Sequence, residues 1–115
     1  MKALVVEDEA LIRLNLCDML GEMGLETVEA ANGKDGLAAI EQDAQIAVLI
    51  ADLGLHGMTG EELVRRARVL RPELKIILAT GRSAAANSQL TAETGAHFLG
   101  KPFDFDELRR VVEGQ

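Results

Sequence analysis

The sequence predicts a doubly wound α/β domain: five parallel strands in the order 2-1-3-4-5, each followed by a helix. Two observations lead there. Short apolar runs alternate along the whole chain with segments of helical length and period. Three of those runs are almost wholly apolar (ALVV, IAVLIA and KIILA) and two are mixed (LETVEA and HFLG), as strands covered on both faces and strands at an edge should be.

The first strand is read over Ala3–Val6. Glu9–Met23 follows as a helix, with Ile12, Leu16, Met19, Leu20 and Met23 on one stripe and Gly24 placed to end it. Leu25–Ala30 is the second strand and Lys34–Gln42 the second helix. Ile46–Ala51 and Gly60–Leu70 form the third pair, and Lys75–Ala79 is the fourth strand. Ser83–Thr94 has a single large apolar side chain, Leu90, so this fourth helix is expected to be the most mobile element. His97–Gly100 is the fifth strand. Asp104–Glu113 closes the series, opening on DFDE, in which Asp104 can cap and Glu107 can reach back. Right-handed crossovers then place helices on both faces of one sheet.

At 115 residues the chain has the size of one domain, expected to span 1–115 with no second domain. Hydrophobic residues make up 48% and charged residues 27%, a globular composition. The net charge of −7 argues against broad binding to nucleic acid or to anionic membrane and favours a basic partner or a bound cation. No apolar run approaches the roughly 20 residues of a membrane span, and the N-terminus meets acids too early for a secretory signal. A cytoplasmic monomer is expected. Cys17, the single cysteine, leaves no internal disulfide and no metal cluster of thiolates.

In such a sheet, ligands sit beyond the carboxyl ends of the strands, where the strand order reverses. Strand 1 runs out into Glu7 and Asp8, strand 3 into Asp52, strand 4 into Thr80 and strand 5 into Lys101-Pro102. Crowded carboxylates either raise one another's pKa or hold a cation. Two or three oxygen ligands completed by water suit Mg²⁺. A divalent ion beside a lysine and a threonine is equipped to handle a phosphoryl group, and Asp52, central among the acids, is the natural nucleophile. Each residue alone has a plainer reading: Glu7-Asp8 as the start of a helix, Thr80-Gly81 as a turn, Lys101 as a solvated lysine. Their coincidence at one rim carries the inference.

The combination Glu7-Asp8, Asp52, Thr80-Gly81 and Lys101-Pro102 resembles the receiver domain of two-component response regulators, over Lys2 to about Val112. That resemblance implies a flavodoxin-like fold and a phosphoryl group accepted onto Asp52 from a phosphohistidine of a sensor histidine kinase or a histidine phosphotransfer protein. It implies chemistry at the chain's own Asp52 rather than turnover of an external substrate. Asp8 would be a direct Mg²⁺ ligand, Glu7 would act through water, and the Gly54 carbonyl would be a third protein ligand. Lys101 would contact the phosphoryl oxygens, Thr80 would follow the phosphoryl group, and Phe98 would be the aromatic switch residue. The resemblance also makes the Lys101-Pro102 bond a candidate for a cis peptide. Output would be protein contact through the face formed by the fourth helix, fifth strand and fifth helix, or onward transfer. ATG (Ala79–Gly81) and PFDFDEL (Pro102–Leu108) are similar to a single-domain subset with a FAT GUY signature, from which Leu78 and Ser83 depart. His56 stands where the family usually has proline, which would leave that loop freer. His56 and His97 are otherwise read as ordinary surface or edge residues.

Leu14 lies nearly opposite the apolar stripe of helix 1, with Leu11 on its flank, so the two are candidates for a patch docking a partner's helices. Three other functions compete. A flavin carrier would want a Ser/Thr/Gly-rich loop after strand 1 and an aromatic sandwich, whereas this chain has EDEA and neither Trp nor Tyr. A Mg²⁺-dependent phosphatase would carry DxD after strand 1. A receiver-like module that acts without phosphorylation is the remaining alternative.

Overall fold

The computed structural model describes residues 1–81 and 88–114. Its strands are β1 (Lys2–Val6), β2 (Glu26–Ala30), β3 (Ile46–Asp52), β4 (Lys75–Thr80) and β5 (His97–Gly100). The helices are α1 (Ala10–Glu22), α2 (Gly33–Gln42), α3 (Gly60–Leu70), α4 (Ser88–Thr94) and α5 (Phe105–Glu113). All strand pairs are parallel and the order is β2-β1-β3-β4-β5, as expected.

The period of two along the central strands divides the core. Leu4 and Val6, Leu49 and Ala51, and Ile76 and Leu78 pack on one face with Leu37 and Ile40 of α2, Leu63 and Val64 of α3, and Leu90 of α4. Their neighbours Ala3, Val5, Val48, Ile50, Ile77 and Ala79 pack on the other with Leu16 and Leu20 of α1 and Leu108 and Val112 of α5. The mixed strands are the edges: Glu26 and Glu29 of β2 are exposed, and His97 and Phe98 of β5 are half-buried.

Two boundaries differ from the expectation in a way that matters. β3 and β4 each run one residue further, because the ladder continues through Asp52 opposite Ala79 and Thr80 opposite Gly100. Both polar residues are therefore the last rungs of strands and share the strands' rigidity. α1 is shorter than expected by one residue at each end, with Glu9 and Met23 as its caps, and Gly24 takes the left-handed turn at φ 88°. The DFDE motif forms the expected capping box, Asp104 accepting from the Glu107 N–H and Glu107 from the Asp104 N–H.

In the expected fourth helix, Ser83–Asn87 lie outside the described residues. Over Ser88–Thr94 the helix is anchored by more than Leu90. Arg65 of α3 pairs with Glu93 at 3.1 Å, and Arg68 donates to the Thr94 carbonyl at 2.6 Å.

α3 enters the sheet at close range. Thr59 caps it by accepting from the Glu62 N–H at 3.1 Å. A Cβ on the next residue, Gly60, would stand 2.5 Å from the Asp52 carbonyl oxygen and 2.5 Å from Leu53 Cα. Both obstacles are backbone, so the helix could not accept a side chain there without moving off the strand that carries Asp52. Gly60→Ala should therefore lower stability by about 1–3 kcal/mol, seen as a lower urea midpoint with an unchanged slope.

Candidate functional site

Glu7, Asp8 and Asp52 come together at the C-terminal edge of β1 and β3. One carboxylate oxygen from each lies within 4.8 Å of the others, the geometry of a cation site. Neither Glu7 nor Asp8 caps α1: its N-cap is Glu9, with no side-chain hydrogen bond. Glu7 instead turns inward, 2% exposed, where its Oε2 accepts from the Glu9 N–H at 3.0 Å. Its backbone is fixed on both sides, the N–H donating to Ala30 O at 3.1 Å and the carbonyl accepting from Arg13 Nη1 at 2.8 Å. Arg13 also pairs with Glu29 of β2 at 3.0 Å.

Lys101 supplies the positive charge. Its Nζ lies 3.3 Å from Glu7 Oε1 and 3.4 Å from Asp52 Oδ1. Its N–H donates to the Thr80 carbonyl at 2.8 Å, which sets the β5 exit beside the β4 exit. The Lys101-Pro102 peptide, a candidate for the cis form in the sequence, is cis. Thr80 is buried at the end of β4. The Gly54 backbone runs beside the Asp52 carboxylate, since a Cβ built on Gly54 would be 3.5 Å from Asp52 Oδ2. Phe98 stands apart from the acids, half-buried on β5 opposite Leu78, with its ring against Gly100.

Loss of water around Glu7 pushes its carboxyl above the ordinary value, and the neighbouring Asp8 and Asp52 push the same way. The Glu9 N–H and the Lys101 ammonium pull in the opposite direction without cancelling the rise. Three hard oxygen donors at this spacing are a donor set that fits Mg²⁺ and its preference for carboxylates.

Two polar residues at the site were given no role there from the sequence. Arg13 gave no signal, being one charged residue on a helix face. His56 was read as an ordinary surface or edge residue, and its side chain is indeed 95% exposed, yet its Nδ1 lies 3.0 Å from Asp8 Oδ2. The only hint was its departure from a usual proline.

The model of the response regulator receiver domain matches residues 3–113. The chain belongs to that family. The receiver is thus a phosphorylatable domain of two-component signalling. It is 34% identical to sporulation initiation phosphotransferase F of Bacillus subtilis over 97% of this chain and 90% of that protein. It is 37% identical to the two-component response regulator PhoP of Pseudomonas aeruginosa over 94% of this chain, but spans only 48% of that regulator. Among solved structures it is similar to the response regulator TrrA of Thermotoga maritima in complex with Mg²⁺-BeF, with a TM-score of 0.87 and 31% identity over 97% of this chain and 96% of that one.

The raised pKa of Glu7 has a stability consequence in the metal-free protein. The folded state holds this proton more tightly than the unfolded chain does. Stability from Glu7 is thus fully present below its ordinary value of 4.5 and lost as the pH rises through the raised one. Glu7→Gln, which cannot ionise, should escape that loss. Urea denaturation in EDTA should show the variant gaining stability relative to the parent between pH 4.5 and neutrality.

Proposed function

We propose that this receiver accepts a phosphoryl group from a phosphohistidine onto Asp52, with Mg²⁺ held by Asp8, Asp52 and the Gly54 carbonyl and, through water, by Glu7. The observation that carries the reading is the meeting of three carboxylates within 4.8 Å with the Lys101 ammonium 3.4 Å from Asp52. The described residues include no helix long and apolar enough to cross a membrane. The reading places a single receiver domain, 1–115, in the cytoplasm as a monomer.

In the transfer, an Asp52 carboxylate oxygen attacks phosphorus, the O–P bond forms and the N–P bond to the donor imidazole breaks. The imidazole leaves with the bonding pair and takes up a proton. The bound ion would neutralise charge on the phosphoryl oxygens. Lys101, already beside Oδ1, contributes a second positive charge to the same oxygens. Thr80, the last residue of β4, supplies a hydroxyl at the neighbouring strand end, and Phe98 responds on the β5 edge.

The energetics favour a partial switch. Moving a two-state equilibrium from 1:99 to 99:1 takes about 5.5 kcal/mol. New charge-assisted hydrogen bonds to Thr80 and Lys101 contribute roughly 1.5–3 kcal/mol each. Lys101 begins with two carboxylate partners, so its net gain falls toward the lower figure.

The docking face for the donor is α1. Leu11 and Leu14 are 82% and 49% exposed, and on another side of α1 a groove of about 370 Å³ runs toward the β5–α5 connection, lined by Ile12, Met19, Pro102 and Phe103. Lys101 also lines this groove, so a helix seated there reaches the acidic rim.

Incubation with a small phosphodonor and Mg²⁺ should add one phosphoryl group to the intact mass. Asp52→Asn and chelation by EDTA should each abolish it. Leu14→Asp should slow transfer from the phosphorylated cognate kinase by tenfold or more, about 1.4 kcal/mol. It should leave labelling by the small donor unchanged. Equal kinase rates would rule out this face.

A further inference from the structure

We infer that Arg13 is a positioning residue for the metal site: it clasps both ends of the Glu7-Asp8-Glu9 turn and so sets where the Glu7 and Asp8 carboxylates stand. The inference rests on the acidic cluster being the metal site proposed above, and it concerns what holds that site in shape.

The turn begins where β1 leaves the sheet. Val6 is the last rung of β1 on both sides, opposite Ala30 and Ala51, and the next residue, Glu7, is 2% exposed. A carbonyl on so buried a residue needs a partner, and Arg13 Nη1 donates to it at 2.8 Å. The backbone N–H of Arg13 donates to the Glu9 carbonyl at 3.0 Å, the opening bond of α1. Asp8 thus sits between two carbonyls held by one arginine.

That arrangement does more than satisfy a carbonyl. A peptide unit is planar, so fixing the Glu7 carbonyl fixes the plane that also carries the Asp8 nitrogen. The Asp8 side chain departs from the next atom along the chain. At the far end of the turn, the Glu9 N–H donates to Glu7 Oε2 at 3.0 Å and so holds the Glu7 carboxylate. A swing of either peptide would separate oxygens that now lie within 4.8 Å of one another.

Arg13 is itself held. Its side chain is 18% exposed, and its Nε donates to Glu29 Oε1 at 3.0 Å. Glu29 lies on β2 opposite Val5, one rung before the turn. The guanidinium offers N–H groups in fixed directions, so it can meet a carboxylate and a carbonyl together, whereas a lysine would bring a point charge without that fork. Glu29 also offsets a positive charge that would otherwise oppose a cation at the rim.

The test combines Mg²⁺ titration calorimetry with amide hydrogen exchange in EDTA, on the parent, Arg13→Ala, Arg13→Lys, Glu29→Ala and the Arg13→Ala/Glu29→Ala pair. Mg²⁺ affinity should fall at least about tenfold in Arg13→Ala, and Arg13→Lys should recover only part of it. Glu29→Ala should lower affinity by a smaller factor, and the pair should be no worse than Arg13→Ala alone, because Glu29 acts through Arg13. In the metal-free protein the Glu9 amide should exchange faster in Arg13→Ala while the Ile50 amide of β3 keeps its rate. Unchanged Mg²⁺ affinity in Arg13→Ala would overturn the inference and leave the acidic site standing. So would additive losses in the pair, or an equal acceleration of both amides, which would mark a merely structural residue. If Arg13→Ala does not fold, Arg13→Lys and Glu29→Ala carry the same comparison of affinity and exchange. Failure of the folded parent to bind Mg²⁺ would refute the acidic site itself, and this inference with it.

Discussion

The Lys101 ammonium, 3.3 Å from Glu7 and 3.4 Å from Asp52, is the contact on which the rim depends. Three carboxylates within 4.8 Å repel one another, and one of them, Glu7, has almost no exposure to water. Without that cation, the rise in the pKa of Glu7 would be larger. Lys101 is shared between two acids and belongs wholly to neither, so it offsets the repulsion at both. Its own position follows from the sheet, through the bond from its N–H to Thr80.

The opposite end of the sheet is closed by other long cations, which bond backbone carbonyls. Arg71 donates to the carbonyls of Ile40, Asp43, Ala44 and Ile46, joining the end of α2 to the start of β3. Arg68 collects Pro72, Leu74 and Thr94, and Lys75 bonds Val112 and Gly114 at the end of α5. Burial lowers the pKa of Lys75, and the two carbonyls are the partners its ammonium keeps. Helix C-termini and loop carbonyls that would otherwise need water are satisfied this way. The two ends of the strands thus differ, with cross-linking cations at their beginnings and the acidic cluster at their ends.

Much of this was legible in the chain. Continuous apolar strands differ from mixed ones in a way that burial on two faces demands, and that difference placed β1, β3 and β4 in the centre. Once the order was set, Glu7, Asp8, Asp52, Thr80 and Lys101 had to emerge at one rim, because parallel strands all end on the same side. The stripe on α1 and the capping box of α5 were readable because both rest on contacts within a few residues. Leu11 and Leu14 were legible as exposed for the same reason, since helix geometry alone puts them off the stripe.

Other features depend on meetings between distant residues, and their identities announce no partner. His56 reaches Asp8, Arg13 bridges Glu7 and Glu29, and Arg71 finds four carbonyls, each across a gap bridged only by the folded backbone. Long flexible side chains can choose among many acceptors, and the choice is made by where the neighbouring elements come to rest. Periodicity and apolar content determined the architecture, because the burial of strands and helix faces follows from local order along the chain. Tertiary packing decided the ion pairs, the burial of Glu7 and the approach of α3 at Gly60, because those depend on distances of a few ångströms between segments that sequence order leaves far apart.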